Sequence, residues 1–349
     1  MQKFALLLLL SFAFAAYAQQ PWTFAVSGDS RNCGDVVMPA IAAGVQRDHA
    51  VFYWHLGDLR AVYDFDQDYK QLATSAGASL LIIDYENHAW DDFIENQIFP
   101  FGDLPFFLGI GNHETIPPKT RNDFLIQFAD WLNTPELQKQ RLKDNPKDNR
   151  LHTYYHWRRD GIDFINLDNA SAEQFDKDQL AWLENVLNAD GADPLIHTLV
   201  VGMHAALPDS ISKGHSMSET PQGESSGRHV YALLLSARNT AHKNVYVLAS
   251  HSHFFMDGVY NTEYWRSNGG VLPGWIVGTA GAVRYALPPS AGDAKDAKTN
   301  VYGYLLGTVR RDRTIDFSFH QIDEQDVPPD VVNRFGQSLV HDCFMGNRQ

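Results

Sequence analysis

The chain has 349 residues, with 42 acidic against 28 basic side chains and a formal net charge of −14. A surface that tracks a nucleic-acid backbone needs a basic surplus, so nucleic acid is excluded as a partner. The same sign fits poorly with an anionic membrane surface. The length is enough to bury a large core, as one big domain or two modest ones.

Residues 1–18 are set apart from the rest. They hold one cation, Lys3, then an apolar run from Phe4 to Ala16, then Ala16-Tyr17-Ala18. This is the charged, apolar and small-x-small order of a secretory signal peptide, and the run is too short to span a bilayer. Residues 19–349 are read as one domain with no second apolar run of spanning length. The expectation is a secreted or periplasmic protein with no membrane in its mature form. Cys33 and Cys343, the only cysteines, are expected to pair in an oxidising compartment.

From there the chain alternates strands and helices. Trp22 to Ser27 reads as a strand ending at Gly28-Asp29. Asp35 to Gln46 places Val36, Val37, Ile41 and Val45 at helical spacing. Val51 to Leu56 is a second strand, ending at Gly57-Asp58. A helix over Tyr85 to Phe99 precedes a strand from Leu104 to Ile110 that ends at Gly111-Asn112. Arg121 to Leu142 is amphipathic and helical. His152 to Trp157 and Ile162 to Leu167 form a hairpin across Arg159-Asp160-Gly161. A helix over Gln179 to Leu187 leads to a strand, His197 to Val201, ending at Gly202-Met203-His204. A helix over Val230 to Ala237 leads to a strand, Val245 to Ala249, ending at His251-Ser252-His253. Trp275 to Gly278, Tyr302 to Val309 and Thr314 to Ile322 are further strands. Segments 115–150 and 206–228 are loop-rich or inserted. This order predicts an α/β fold, a four-layer α/β/β/α sandwich of two mixed sheets flanked by helices.

Chemistry-bearing residues sit at the carboxyl ends of five of these strands, where α/β sheets collect ligands. Asp29, Asp58 and Asn112 offer oxygen; His204, His251 and His253 offer imidazole nitrogen. The mixture suits zinc, iron or manganese, whereas calcium would call for more oxygen. Singly, each has a plainer reading. An Asp after a strand is commonly a helix cap or turn former, and a lone His204 would be a hydrogen-bonded core histidine. His251 and His253, two apart, could line one strand face. The joint pattern outweighs these readings. Arg31 and Arg60 read singly as surface ion-pair partners, with Asp35 the candidate acid for Arg31. The Asp64, Asp66 and Asp68 cluster is only faintly like a calcium loop.

The motifs Gly28-Asp29-Ser30-Arg31, Gly57-Asp58-Leu59-Arg60, Gly111-Asn112-His113-Glu114, Gly202-Met203-His204 and Ser250-His251-Ser252-His253 resemble the signature of calcineurin-like metallophosphoesterases, on the purple-acid-phosphatase-like side. The resemblance spans about residues 22 to 320. It implies an exported hydrolase of small-molecule phosphomonoesters, with two divalent or trivalent metal ions (zinc, iron or manganese) and a metal-bridging hydroxide. Asp58 would bridge the ions. Asp29 and His253 would complete one ion's ligands; Asn112, His204 and His251 would complete the other's. His113 would face the substrate phosphate and leaving group, with Asn112 also reaching the phosphate. A phosphodiesterase would share every motif, and a degenerate, metal-poor binding or scaffold protein is the reading from another class. Two positions depart from the family. Where it often has a histidine, two residues after the first Asp, this chain has Arg31, which cannot ligate a metal. Arg31 is expected to clamp substrate phosphate oxygens and not to point at the metals. The purple-acid-phosphatase tyrosine position is Ala61, with Tyr63 a weak substitute.

Overall fold

The computed structural model describes residues 20–77, 79–171 and 174–349; the signal pattern at 1–18 lies outside them. Twelve strands are formed among the described residues: β1 (Trp22–Ser27), β2 (Ala50–His55), β3 (Phe106–Leu108), β4 (Tyr155–Arg159), β5 (Ile162–Asn166), β6 (Thr198–Gly202), β7 (Asn244–Ala249), β8 (Phe255–Asp257), β9 (Gly274–Val277), β10 (Asp296–Lys298), β11 (Tyr302–Val309) and β12 (Ile315–Ile322). They make a five-stranded sheet, β12-β11-β1-β2-β3, and a seven-stranded sheet, β10-β8-β9-β7-β6-β5-β4. Both sheets are mixed. β1, β2 and β3 run parallel, as do β5, β6, β7 and β9, while the outer strands pair antiparallel.

Strand alternation sorts the side chains into layers. In β1, Phe24 and Val26 face the other sheet while Ala25 faces the helices; in β2, Phe52 and Trp54 face in and Tyr53 faces out. Across the interface they meet Trp157, Phe164, Val200, Leu248 and Val277. Helix α1 (Gly34–Arg47) covers the five-stranded sheet. The long helices later in the chain, Lys177–Ala192 and Pro221–Asn239, pack with the outer face of the seven-stranded sheet. The result is the expected helix–sheet–sheet–helix sandwich. Among the described residues, no helix is long and apolar enough to cross a membrane.

Cys33, just before α1, is disulfide-bonded to Cys343 near the carboxyl end, with their Cα atoms 5.9 Å apart. The sequence reading had no elements beyond residue 322. The structure places two helices there, Pro329–Phe335 and Gln337–Met345, and their Val331, Phe335, Leu339 and Val340 join the α1 core.

Candidate metal centre

All five motifs arrive at the same edge of the sandwich because β1, β2 and β3 in one sheet and β6 and β7 in the other end there. Each turns sharply on leaving its strand. Asp29, Asp58 and His251 all take left-handed backbone, with φ of 60°, 60° and 64°, a conformation that Asp and His adopt more readily than most non-glycine residues. Gly57 (φ 97°) lies against the Gly111 backbone, where a Cβ would collide, so the second and third motif loops can nest only as glycines.

Side chains then converge around His204. Its Nδ1 donates to the Leu56 carbonyl at 3.0 Å, which turns Nε2 towards the cluster. Asn112 Oδ1 and His251 Nδ1 each lie 3.0 Å from that Nε2, and Asp58 Oδ1 lies 3.3 Å away. An ion with bonds of about 2.0–2.1 Å in tetrahedral geometry needs donors roughly 3.3 Å apart. The four donors therefore fit a metal ion. A second group, Asp29, Asp58 and His253, shares Asp58. Here Asp29 Oδ1 is 3.2 Å from His253 Nε2, and His253 Nδ1 donates to the Val283 carbonyl at 2.6 Å. Among the described residues, Asp29 Oδ1 and Asp58 Oδ2 are buried acceptors without a hydrogen bond. Such acceptors call for a cation or a donor.

The motif residues are thus brought together, with His251 and His253 directed into different groups. They do not share a strand face as their spacing allowed: β7 ends at Ala249 and both lie in the turn beyond it. His113 stands beside the cluster. Its Nδ1 donates to the Ala61 carbonyl at 2.8 Å, and its Nε2 is 3.7 Å from Asp58 Oδ2. The position where a tyrosinate would enter is therefore a backbone hydrogen bond to His113. Tyr63 sits against the His113 ring, 5.1 Å between centroids.

Electrostatically the site is poised for a cation. Burial opposes charging both aspartates, but His253 holds Asp29, and His204 with His113 and Arg31 holds Asp58, well below the usual carboxylate range. Burial also opposes a proton on His204, yet Asp58 outweighs it and raises this imidazole to about 9. A metal ion would displace that proton. Burial lowers the His113 imidazole against the opposing pull of Asp58.

Some supporting residues were not found by sequence reasoning. Glu114 accepts from the backbone N–H groups of Asp58 (2.9 Å), Leu59 (2.9 Å) and Gly111 (2.8 Å), binding the second motif loop to the third. Its place inside the Gly-Asn-His-Glu motif was the available signal. Ser250 donates to Asp29 Oδ2, which also accepts from the His251 N–H at 2.7 Å. Tyr285 stacks on His253 at 4.0 Å, and His215 stacks in turn on Tyr285 at 5.0 Å; no local signal in the sequence marks either.

Neither arginine is the surface ion-pair partner of its single-residue reading. Arg60 is wholly buried, 2.6 Å from Asp35 and in ion pairs with Asp66, Asp68 and Asp92. Two of the three aspartates read as a faint calcium loop, Asp66 and Asp68, thus serve an internal cation. With Asp35 so engaged, Arg31 turns to the site. Its Nη2 lies 3.2 Å from His253 Nε2 and its Nε 3.8 Å from Asp58 Oδ2.

No family model matches the chain, and no curated protein matches it. Among solved structures it is similar to PhoD, with a TM-score of 0.52 and 15% identity, covering 93% of this chain and 77% of that one. It is also similar to GAP50, the anchor in the inner membrane complex of Plasmodium, with a TM-score of 0.49 and 12% identity over 92% of this chain and 95% of that one. A dimetal phosphatase from Danio rerio gives a TM-score of 0.47 and 12% identity over 86% and 99%. The likeness to PhoD is one of fold, two mixed sheets flanked by helices.

Proposed function

We propose that this chain is an exported, metal-dependent phosphoesterase acting on small-molecule phosphomonoesters. The observation that carries the reading is the set of four donors from Asp58, Asn112, His204 and His251, with spacings of 3.0 and 3.3 Å at His204 Nε2. The four side chains come from four different strand ends, and the tautomer of His204 is fixed by a backbone carbonyl. A helix cap or a core histidine requires neither feature.

A bound zinc, iron or manganese ion would polarise a phosphoryl oxygen and lower the pKa of water at the site. The chain's own residues do the rest. Asn112 and Arg31 border the place where the phosphate must lie. His113, when protonated on Nε2 beside Asp58, gives that proton to the ester oxygen as its bond to phosphorus breaks; the attacking water releases its own proton to solvent as its oxygen bonds phosphorus, and the imidazole is reprotonated for the next turnover. Export is supported by the signal pattern together with the Cys33–Cys343 disulfide. A phosphodiester would meet the same residues. The preference for monoesters comes from Arg31, because a terminal phosphate offers more non-bridging oxygens to a guanidinium fork.

The test is a panel of phosphomonoesters and phosphodiesters offered to chelator-stripped protein, with zinc, iron or manganese restored singly. Monoester hydrolysis should return with metal and stay absent in Asn112→Ala. Metal-loaded protein that cleaves no ester would reject the reading in favour of a binding protein. Cleavage of diesters alone would move the substrate class.

A further inference from the structure

The group formed by Asp29, Asp58 and His253 has the outline of a second ion's ligand set, yet it already holds a cation of the chain's own. His253 fixes the argument. Its Nδ1 lies 2.6 Å from the Val283 carbonyl oxygen. A carbonyl only accepts, so Nδ1 carries the proton and Nε2 presents its lone pair. That lone pair is what a metal would bind. Arg31 Nη2 lies on it at 3.2 Å, and a guanidinium nitrogen has only hydrogens to give. One lone pair cannot serve both an N–H and a metal. The same guanidinium faces Asp58 through Nε at 3.8 Å, on the Oδ2 oxygen that is turned away from His204.

Everything around Arg31 holds it there. It lies between Asp29 and the disulfide cysteine. The next residue, Asn32, takes left-handed backbone (φ 70°), gives its N–H to Asp66 Oδ1 at 2.5 Å and accepts the Val283 N–H on its Oδ1 at 3.1 Å. Cys33 gives its N–H to the Gly281 carbonyl at 3.2 Å and is tied to Cys343. On the far side, Tyr285 stacks on the His253 ring. Asp35, the acid that could have drawn the side chain outward, is taken by Arg60. The side chain is 12% exposed.

We infer that Arg31 replaces one of two metal ions: the chain binds a single catalytic ion, at Asp58, Asn112, His204 and His251, and the guanidinium, held by Asp58 and His253 beside Asp29, is the second cation of the site. This rests on the metal-dependent reading above and narrows it. One divalent ion and the guanidinium already outweigh the two buried carboxylates by one positive charge. A second divalent ion beside the guanidinium would add two more among buried side chains. Arginine stays protonated, so it keeps the electrostatic part of an ion's role and orients phosphate oxygens. It cannot generate hydroxide, which confines activation of the attacking water to the His204 side. With one of its five N–H groups on His253, the fork retains donors for a terminal phosphate. The inference therefore deepens the monoester preference.

The experiment is metal counting by elemental mass spectrometry on full-length protein equilibrated with excess manganese or zinc and then desalted. One ion per chain is expected in the wild type, and two in Arg31→His, which restores a ligand and frees His253. Asp29→Asn should leave the wild-type count at one, because Asp29 belongs only to the arginine-filled group. It covers the case in which Arg31→His fails to fold. Two ions in the wild type, falling to one in Asp29→Asn, would overturn the inference while leaving the phosphoesterase reading intact. One ion in both the wild type and folded Arg31→His would also overturn it. No ion in the wild type would overturn the metal-dependent reading itself. With manganese, electron paramagnetic resonance should give an isolated-ion spectrum in the wild type and a spin-coupled pair in Arg31→His; a coupled pair in the wild type counts against the inference.

Discussion

His113 and Asn112 are neighbours with different tasks, and substitution should separate them. His113 Nδ1 is spent on the Ala61 carbonyl, and its Nε2 is 3.7 Å from Asp58. Asn112 Oδ1 is among the donors at His204. His113→Ala should therefore lower turnover by about 10²–10⁴-fold while bound metal stays near the wild-type count. Asn112→Ala or His251→Ala should lose both. Equal metal loss in all three, by elemental analysis beside steady-state kinetics, would put His113 among the ligands. At this scale six of the site residues were legible because each directly follows an apolar strand. Their supports were not. Glu114 reaches back to Asp58, Ser250 crosses to Asp29, and which of Arg31 and Arg60 meets Asp35 depends on how far each is buried. Such pairings join distant parts of the chain and leave no local pattern.

Among elements, strands were easier to read than helices. The two faces of a strand show in a few residues, and Trp22–Ser27 and Tyr302–Val309 have the bounds expected of them. The helix expected over Arg121 to Leu142 is three short ones, Arg121–Gln127, Ala129–Leu132 and Pro135–Asp144. The last starts afresh because Thr134 caps the Leu137 N–H and Pro135 occupies the first turn. A buried histidine then pins this segment to the seven-stranded sheet. His156 in β4 lies 2.6 Å from Asp144 and 2.7 Å from Asp163 in β5. Burial would lower this imidazole, but Asp163 and Asp144 outweigh it and raise it to about 9. A raised folded pKa means stability fully present below the unfolded value, about 6.5, and lost as pH rises through 9. The denaturation midpoint of the wild type should exceed that of His156→Gln at pH 6 by on the order of 2–3 kcal/mol. The gap should close between pH 6.5 and 9. A gap that stays constant across that range would show that His156 is neutral in the folded protein.

At the scale of the whole molecule, the order of strands and helices was enough to give two mixed sheets flanked by helices. The sheet order and the terminal helices were not legible, since both depend on packing across the chain. Val331, Phe335, Leu339 and Val340 join the α1 core beside a disulfide that closes a sequence separation of 310 residues. That bond ties the carboxyl-terminal helix to the turn carrying Arg31. Cys343→Ser should lower unfolding stability by about 2–4 kcal/mol, read as a lower denaturation midpoint that reductant no longer affects. A midpoint equal to that of the wild type, or two free thiols in protein from an oxidising compartment, would contradict the bond's role.

The claim that everything else depends on is that an ion binds where two sheets bring Asp58, Asn112, His204 and His251 together. Anomalous X-ray diffraction from crystals grown with zinc or manganese, recorded at the absorption edge of the added metal, tests it most directly. The account predicts a peak about 2.0–2.3 Å from Asn112 Oδ1, His204 Nε2 and His251 Nδ1. A map with no peak at those donors under saturating metal, or with its principal peak elsewhere, would contradict it.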